Sequence, residues 1–144
     1  MANQTIAVIG GTGFIGRHVL EALTAQPVRV LVHRNQPSWL KDLEHVEPIQ
    51  GDIFDPAALD HLLQGCEVMI NLTGQVEGPV DRYLDVNVRG TLNLAQACLR
   101  QRLPRVIHAS TTSFCFAGSR SVGPSQSSST PSALARDCRI KSSS

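Results

Sequence analysis

The stretch Ile6–Gly16, I-A-V-I-G-G-T-G-F-I-G, decides the fold of this chain. An apolar run ends in glycines, and an amphipathic segment begins immediately afterwards. This order is typical of a buried β-strand, a tight turn and the start of a helix. We predict a strand over Thr5–Ile9 and a helix over Phe14–Ala25, whose buried face consists of Ile15, Val19, Leu20 and Leu23.

Three glycines in this stretch, Gly10, Gly13 and Gly16, stand three residues apart. In a dinucleotide site the first such glycine permits the sharp turn, and the second leaves no Cβ between the backbone and a pyrophosphate. The third lets the helix pack closely against the sheet. Free N–H groups and the positive end of the helix dipole then face the phosphates. The motif alone is also compatible with a simple glycine-rich turn, so the rest of the chain has to decide.

Strand and helix patterns alternate along the rest of the sequence. Further strands are predicted over Val28–Val32, Val46–Gln50, Glu67–Leu72 and Arg105–Ala109. Helices are predicted from Pro56 (capped by Asp55) to Gly65 and over Asp81–Arg102, and a short helix or turn is predicted over Pro37–Leu43. The last helix is predicted to bury Tyr83, Leu84, Val88, Leu92, Leu94, Ala95 and Leu99. The pattern predicts an α/β fold with a doubly wound parallel sheet of order 3-2-1-4-5.

Composition excludes several classes of protein. The chain has 144 residues, 42% of them hydrophobic, and a net charge of +1 without basic clusters. Neither nucleic acid nor a membrane surface is therefore an expected partner. No apolar run is long enough for a membrane span, and the N-terminus lacks the pattern of a secretion signal, which favours a cytoplasmic location.

Cysteine and histidine residues form no ligand pattern. Cys66, Cys98, Cys115 and Cys138 are widely spaced and make no C-x-x-C pair. We interpret them as reduced thiols and expect no metal site.

The character of the sequence changes after about Ser113. Residues 1–115 are predicted to form the folded domain, whereas residues 116–144 are rich in serine and lack apolar periodicity. Such a segment buries too little apolar surface to offset its ordering entropy, so disorder is expected. A flexible tail and an out-of-frame or truncated product are the two interpretations.

Five motifs occur in order along the chain. They are G-G-T-G-F-I-G at 10–16, Q-G-D-I at 50–53, N-L-T-G at 71–74, V-N-V-R-G-T-L-N-L at 86–94 and R-V-I-H-A-S-T-T-S at 105–113. Together they resemble the extended and atypical short-chain dehydrogenase/reductase family, of the NAD-dependent epimerase/dehydratase type, from about Thr5 to Ser113.

The resemblance implies a set of site residues. Those implied to contact the cofactor are Gly10, Thr12, Gly13, Phe14, Ile15, Gly16, Asp52, Ile53, Leu72, Thr73, Gly74 and Asn87. Thr111, with Ser110 as the neighbouring candidate, is implied to hydrogen-bond a substrate oxygen. Simpler interpretations stay open, because Asp52 could only cap a turn and Thr111 could only end a strand.

The end of the second strand bears on the choice of cofactor. In NAD sites an acidic residue holds the ribose 2′-hydroxyl, but here the strand ends Val32-His33-Arg34-Asn35. A guanidinium attracts a 2′-phosphate, so Arg34, with Arg17 as a helper, favours NADP over NAD. The alternative is that Arg34 is an exposed surface charge.

The resemblance also shows what this sequence lacks. Catalysis in the family uses a Tyr and a Lys four residues later, after the fifth strand. The only tyrosine is Tyr83, and the lysines are Lys41 and Lys141. Proton-transfer groups contribute about 10²–10⁴-fold, so no enzyme-like turnover is expected. A fifth strand left at the sheet edge, with Val106 and Ile107, predicts self-association.

Three functions are compatible with these observations. The first is the NAD(P)-binding domain of an epimerase/dehydratase-type oxidoreductase or isomerase, inactive as given. The second is a non-catalytic NADP-binding redox sensor or regulator. The third is an interaction protein that keeps the fold without a cofactor, against which the intact Gly10, Gly13 and Gly16 argue.

Overall fold

Five parallel strands form a single sheet in the order β3-β2-β1-β4-β5. The structure, a computed structural model, describes residues 4–75 and 79–110. The strands are β1 (Ile6–Ile9), β2 (Val28–Val32), β3 (Val46–Gln50), β4 (Val68–Asn71) and β5 (Arg105–His108). The predicted topology is confirmed. Thr111, Cys115, Cys138, Lys141 and the segment 116–144 lie outside the described residues.

The central strand β1 is buried on both faces of the sheet. Its side chains alternate, as the period of a strand requires. Ala7 and Ile9 belong to a core with residues that follow β3 and β4, whereas Ile6 and Val8 belong to a second core with Leu20. A layer of apolar contacts on each face is the arrangement of a doubly wound sheet.

The first helical segments follow the sequence closely. They are α1 (Phe14–Ala22), a 3-10 helix (Ser38–Asp42) and α2 (Pro56–Leu63). The carboxylate of Asp55 accepts a 2.9 Å hydrogen bond from the Ala57 N–H, as expected of an N-cap. The first helix ends before the predicted Ala25, because the N–H of Leu23 closes the last turn on Val19 and Leu20.

The predicted long helix is interrupted. It consists of α3 (Val80–Leu84), a π-helical stretch (Asp85–Gly90) and α4 (Thr91–Arg100). A Cβ on Gly90 would lie 3.1 Å from the Ile53 side chain, so this stretch packs closely on the loop after β3. The sequence carries no signal for the change of helix type that we can identify.

The predicted buried face of this helix is largely wrong. Leu94, Ala97 and Cys98 face the core, whereas several predicted core residues are exposed: Leu84, Val88, Leu92 and Leu99. The segment carries apolar residues on more than one face, so periodicity alone cannot select the buried one. Ile15 is also exposed, because it lies in the first turn of α1, beyond the end of the central strand β1.

Strand β5 ends the sheet in the part of the chain that the structure describes. All four of its residues are exposed. Within residues 4–75 and 79–110, no helix is long and apolar enough to cross a membrane.

Candidate functional site

The turn between β1 and α1 is built by close backbone packing. Gly10 has φ +79°, and a Cβ there would lie 2.7 Å from the backbone of Leu72 and Thr73. A Cβ on Gly16 would overlap the carbonyl oxygen of Gly10. Gly16 therefore lets α1 approach the turn itself, rather than the sheet as the motif suggested.

Gly11 is a structural residue that the spacing argument missed. It is buried, and a Cβ there would overlap the Val30 side chain of β2. The motif G-x-x-G-x-x-G treats this position as variable. The doublet Gly10-Gly11 was the available signal, since two successive glycines indicate that more than one backbone approach is close.

The N-terminus of α1 is open to an anion. Gly13 is its N-cap residue, and the first turn has neither a side-chain cap nor an acidic residue. A Cβ on Gly13 would meet only the Gly10 carbonyl oxygen, at 3.3 Å. Phe14 is 83% exposed, so no apolar layer from residues 4–75 or 79–110 covers this end. N–H groups of a first turn without partners, together with the helix dipole, favour bound phosphate.

A cleft of about 760 Å³ lies on one side of this turn, along the loops that follow β2 and β3. It brings together three residues that the sequence had singled out, Thr12, Arg34 and Asp52. The Phe54 N–H donates to Asp52 Oδ1 at 3.1 Å, and His33 Nε2 lies 2.9 Å from Asp52 Oδ2. Asp52 thus closes a turn, as the simpler interpretation held, and also lines the cleft.

The side chain of Ile53 does not line this cleft. The side chain is 8% exposed and packs against Gly90. Its carbonyl oxygen accepts a 3.4 Å hydrogen bond from Asn93 Nδ2.

The two arginines considered for the 2′-phosphate differ in their surroundings. Arg34 is exposed, lines the cleft and forms no ion pair with any residue in the described ranges. Arg17 instead donates to Glu21 Oε1 at 2.8 Å and lies 5.1 Å from the Trp39 ring. The hydrogen bond from Arg17 lowers the pKa of the Glu21 carboxyl. Arg17 thus contacts Glu21 and Trp39, and its role as a helper of Arg34 stays a prediction.

A second cleft, of about 440 Å³, lies on the other side of the turn. It follows the carboxyl ends of β4 and β5. Its lining includes the predicted residues Ile15, Leu72, Thr73, Gly74, Asn87 and Ser110, together with Gln75, Tyr83 and His108. Gln75 lines both clefts, so the two adjoin at this residue.

Asn71 organises the wall of the second cleft and was not given a role from the sequence. It is fully buried and is the only buried polar residue found in the described part of the chain. Its Oδ1 accepts hydrogen bonds from the Thr73 N–H, at 3.0 Å, and from the Thr73 hydroxyl. Its Nδ2 lies 3.0 Å from His108 Nδ1. The sequence did contain a signal for this role, because Asn71 is a polar residue at the end of an otherwise apolar strand.

Asn87 acts on the loop after β4. Its Oδ1 accepts from the Gln75 N–H and its Nδ2 donates to the Gln75 carbonyl, both at 2.9 Å. The side chain therefore pairs with the backbone as a neighbouring strand would. Asn87 lies in the π-helical stretch, and such stretches frequently occur at functional sites.

The described thiols are structural. Cys66 and Cys98 are buried and unpaired by disulfides, and burial raises the pKa of both thiols. Across residues 4–75 and 79–110, no three side chains of the metal-ligating types come together.

The chain matches known proteins over this region. The model of the NAD dependent epimerase/dehydratase family matches residues 6–136. A ceramide reductase from Caulobacter vibrioides is 40% identical over 101 residues, which cover 67% of this chain and 31% of that protein. The chain thus spans about a third of the length of the curated relatives that it matches.

Solved structures show the same architecture. Uronate dehydrogenase from Agrobacterium tumefaciens superposes with a TM-score of 0.62 and 28% identity, over 77% of this chain and 42% of that one. A short-chain dehydrogenase/reductase superfamily protein from the same organism, with bound NAD, has a TM-score of 0.63 and 29% identity, over 75% and 33%. The extent of the family match establishes that this chain belongs to the NAD dependent epimerase/dehydratase family.

Proposed function

We propose that this chain is the dinucleotide-binding part of an epimerase/dehydratase-type oxidoreductase or isomerase. The observation that carries the proposal is the uncapped N-terminus of α1, which lies between two clefts that meet at Gln75. A dinucleotide needs an anion site with a pocket for a nucleoside on either side. When bound, the nicotinamide supplies the hydride chemistry, and the chain positions it.

The proposed arrangement assigns each half of the cofactor to one cleft. The pyrophosphate lies on the turn from Gly10 to Gly16, where Gly13 leaves the backbone accessible. The adenosine is assigned to the cleft that Asp52 and Arg34 line, with the base beside Asp52 and the neighbouring Ile53. The nicotinamide half lies along Thr73 and Gly74.

Asn87 is proposed to act by positioning. Both polar ends of its amide hold the backbone of Gln75, so it fixes the loop that carries Thr73 and Gly74. Ser110 lines the nicotinamide side and is proposed, with Thr111, to hydrogen-bond a substrate oxygen.

NADP is the proposed cofactor, with NAD as the competitor. Arg34 lines the adenosine cleft and has no ion-pair partner among the described residues, so its charge is available to a 2′-phosphate. The solved relative with bound NAD makes NAD the natural comparison. We expect Arg34→Ala to weaken NADPH binding about tenfold or more and to leave NADH binding nearly unchanged.

No turnover is proposed for the chain as given. A proton-transfer Tyr with a Lys four residues later is absent from its 144 residues. In the second cleft, Tyr83 comes before β5 in the chain, and the residue four positions after it is Asn87. A non-catalytic NADP-binding sensor would share this property.

One preparation tests these statements. Purified protein is titrated with NADPH and NADH by nicotinamide fluorescence, and the same sample is assayed for oxidation of NADPH in the presence of carbonyl compounds. We expect saturable binding, tighter for NADPH, without turnover. Absence of binding would favour the interaction protein, whereas tighter NADH binding would refute the assigned role of Arg34.

Two further properties belong to the proposal. The folded domain is taken to span residues 1–115, followed by the low-complexity segment 116–144, and a cytoplasmic location is proposed with it. Self-association is proposed through β5, whose Val106 and Ile107 are 49% and 48% exposed.

A further inference from the structure

The buried amide of Asn71 connects two residues that line the second cleft. Thr73, in the loop after β4, donates to Asn71 Oδ1 through its N–H, at 3.0 Å, and through its hydroxyl. His108, at the end of β5, places Nδ1 3.0 Å from Asn71 Nδ2. Asn71 and His108 are opposite each other because β4 and β5 are adjacent parallel strands in this register. Thr73 and His108 line the cleft, whereas Asn71 is fully buried.

These contacts determine which atoms of the network carry protons. A backbone N–H can only donate, so the Asn71 atom beside the Thr73 N–H is the carbonyl oxygen, and the amide nitrogen faces His108. An amide nitrogen also only donates, so His108 Nδ1 accepts and the proton of the neutral ring lies on Nε2. The Thr73 hydroxyl donates its proton to Asn71 Oδ1, which leaves the Thr73 oxygen as an acceptor.

The two ends of this network keep opposite hydrogen-bonding capacity. No hydrogen bond links His108 Nε2, or the lone pairs of Thr73 Oγ1, to another residue in the part of the chain that the structure describes. His108 also borders a cavity of about 370 Å³ between α4 and β5, but the lining of that cavity is mostly apolar. A ligand in the second cleft is therefore the expected partner of both groups.

We propose that His108 and Thr73 bind the carboxamide of the nicotinamide ring, and that Asn71 is the positioning residue that sets their polarity. This inference rests on the proposed function, which assigns the nicotinamide half to the second cleft. A primary carboxamide carries one acceptor oxygen and two N–H donors. Its oxygen accepts from His108 Nε2–H, and its nitrogen donates to Thr73 Oγ1. A ring that carries a carboxylate instead would offer Thr73 no donor.

The main experiment compares dissociation constants of NADPH and NADH with those of the corresponding ADP-ribose molecules, which lack the nicotinamide. Calorimetry on the whole chain, without substrate, measures all four. His108→Phe removes the donor and should weaken dinucleotide binding about threefold to tenfold, with ADP-ribose binding unchanged. His108→Gln carries an amide N–H in place of Nε2–H and should restore most of the affinity. His61→Phe is the matched control, because His61 is exposed on α2 and lines neither cleft.

A second ligand separates the two hydrogen bonds. In an acetylpyridine dinucleotide an acetyl group replaces the carboxamide, so the acceptor oxygen is kept and the N–H donors are lost. His108→Phe should weaken this analogue as much as it weakens the natural dinucleotide. Thr73→Val should weaken only the natural dinucleotide, about threefold, whereas Thr73→Ser keeps the hydroxyl and should weaken neither.

Nitrogen-15 NMR of the imidazole tests the network without any ligand. We expect the neutral ring of His108 to be the Nε2–H tautomer in the unmodified protein. The Nδ1–H tautomer would overturn the inference, because His108 would then have no donor at Nε2.

The binding data distinguish failure of this inference from failure of the proposed function. Equal effects of His108→Phe on dinucleotides and ADP-ribose would show that the residue supports the cleft without contacting the carboxamide. Unchanged dinucleotide binding in His108→Phe would mean that the donor serves another group, such as a substrate oxygen. Either result overturns the inference and leaves the proposed function intact. If the unmodified chain binds neither dinucleotides nor ADP-ribose, the proposed function is overturned as well.

Discussion

Glycines in this chain exclude a side chain for different physical reasons. At Gly10 the backbone is left-handed, and a Cβ would also meet the backbone of Leu72 and Thr73, just after β4. At Gly65 the backbone is left-handed as well, with φ +73°, but no atom of the described residues lies within 4 Å of the added Cβ. The pair therefore separates conformational strain from steric overlap.

The substitutions Gly10→Ala and Gly65→Ala are predicted to differ in cost. Left-handed backbone alone should reduce the free energy of unfolding of Gly65→Ala by about 1–2 kcal/mol. Overlap with Leu72 and Thr73 adds to this in Gly10→Ala, so we expect roughly 3 kcal/mol or more. Urea titration followed by circular dichroism measures both. Equal losses of unfolding free energy would show that the turn relaxes and that the overlap with Leu72 and Thr73 costs no stability.

Buried thiols give a prediction with a defined sign. Desolvation raises the pKa of Cys66 and Cys98 above the ordinary value of 9.0. Their contribution to stability is fully present below the pKa of the unfolded thiol and is lost as the pH rises through the folded pKa. The free energy of unfolding should therefore decline above about pH 9.

Alkylation measures the same property residue by residue. Iodoacetamide at about pH 8 should modify Cys66 and Cys98 at least roughly tenfold more slowly in native protein than in urea, since the thiolate is the nucleophile. Peptide mass spectrometry assigns the modified positions. Equal rates in the two states would show that these thiols are accessible in the fold.

For single residues, the sequence predicted which positions matter better than it predicted which side chains contact one another. The glycine spacing, the Asp55 cap and the position of Asp52 after β3 could be read locally. The pairing of Asp52 with His33 could not, because it depends on how two strands align in space. The contact between Asn71 and His108 could not be predicted for the same reason. Nor could the position of Arg17 over the ring of Trp39, which lies in the 3-10 helix.

Among the helices, the interrupted segment between β4 and β5 departs most from the prediction. Its periodicity indicated one continuous helix, whereas Asp85–Gly90 is π-helical. Asn87 lies in this stretch and holds both backbone groups of Gln75. We infer that the π-helical geometry orients the Asn87 amide towards the loop after β4. Hydrophobic periodicity in the sequence cannot predict this orientation.

Asn87→Ala tests the link between the π-helical stretch and the loop. It removes two hydrogen bonds, each contributing about 0.5–1.5 kcal/mol, and should weaken dinucleotide binding more than about threefold. Asn93→Ala is the matched control, because Asn93 makes one long hydrogen bond, of 3.4 Å, on the same segment. Fluorescence titration and urea unfolding are measured on both. Binding that stays unchanged in Asn87→Ala would refute the positioning role.

For the whole molecule, strand order was the feature most accessible from sequence. Alternating strands and helices with short connections permit few topologies, and right-handed crossovers select 3-2-1-4-5. What could not be predicted is which apolar residues stay exposed. The faces of α4 and β5 carry Leu92, Leu99, Val106 and Ile107, all about half-exposed or more. Apolar patterning identifies surfaces that can be buried but not their partner.

The proposed self-association could use either of two surfaces, the edge of β5 or the exposed face of α4. Pairing through β5 uses the backbone groups of an edge strand, and a charge placed there opposes it. Ile107→Lys should raise the dissociation constant of the self-associated form on the order of tenfold, equivalent to about 1.4 kcal/mol. Leu99→Lys introduces the same charge at a side chain of α4 that is 79% exposed and should have a smaller effect. Light scattering coupled to gel filtration over a range of concentrations measures both. If Leu99→Lys alone releases monomers, α4 is the contact surface and the edge pairing is refuted, and a monomer at every concentration of the unmodified protein would refute self-association itself.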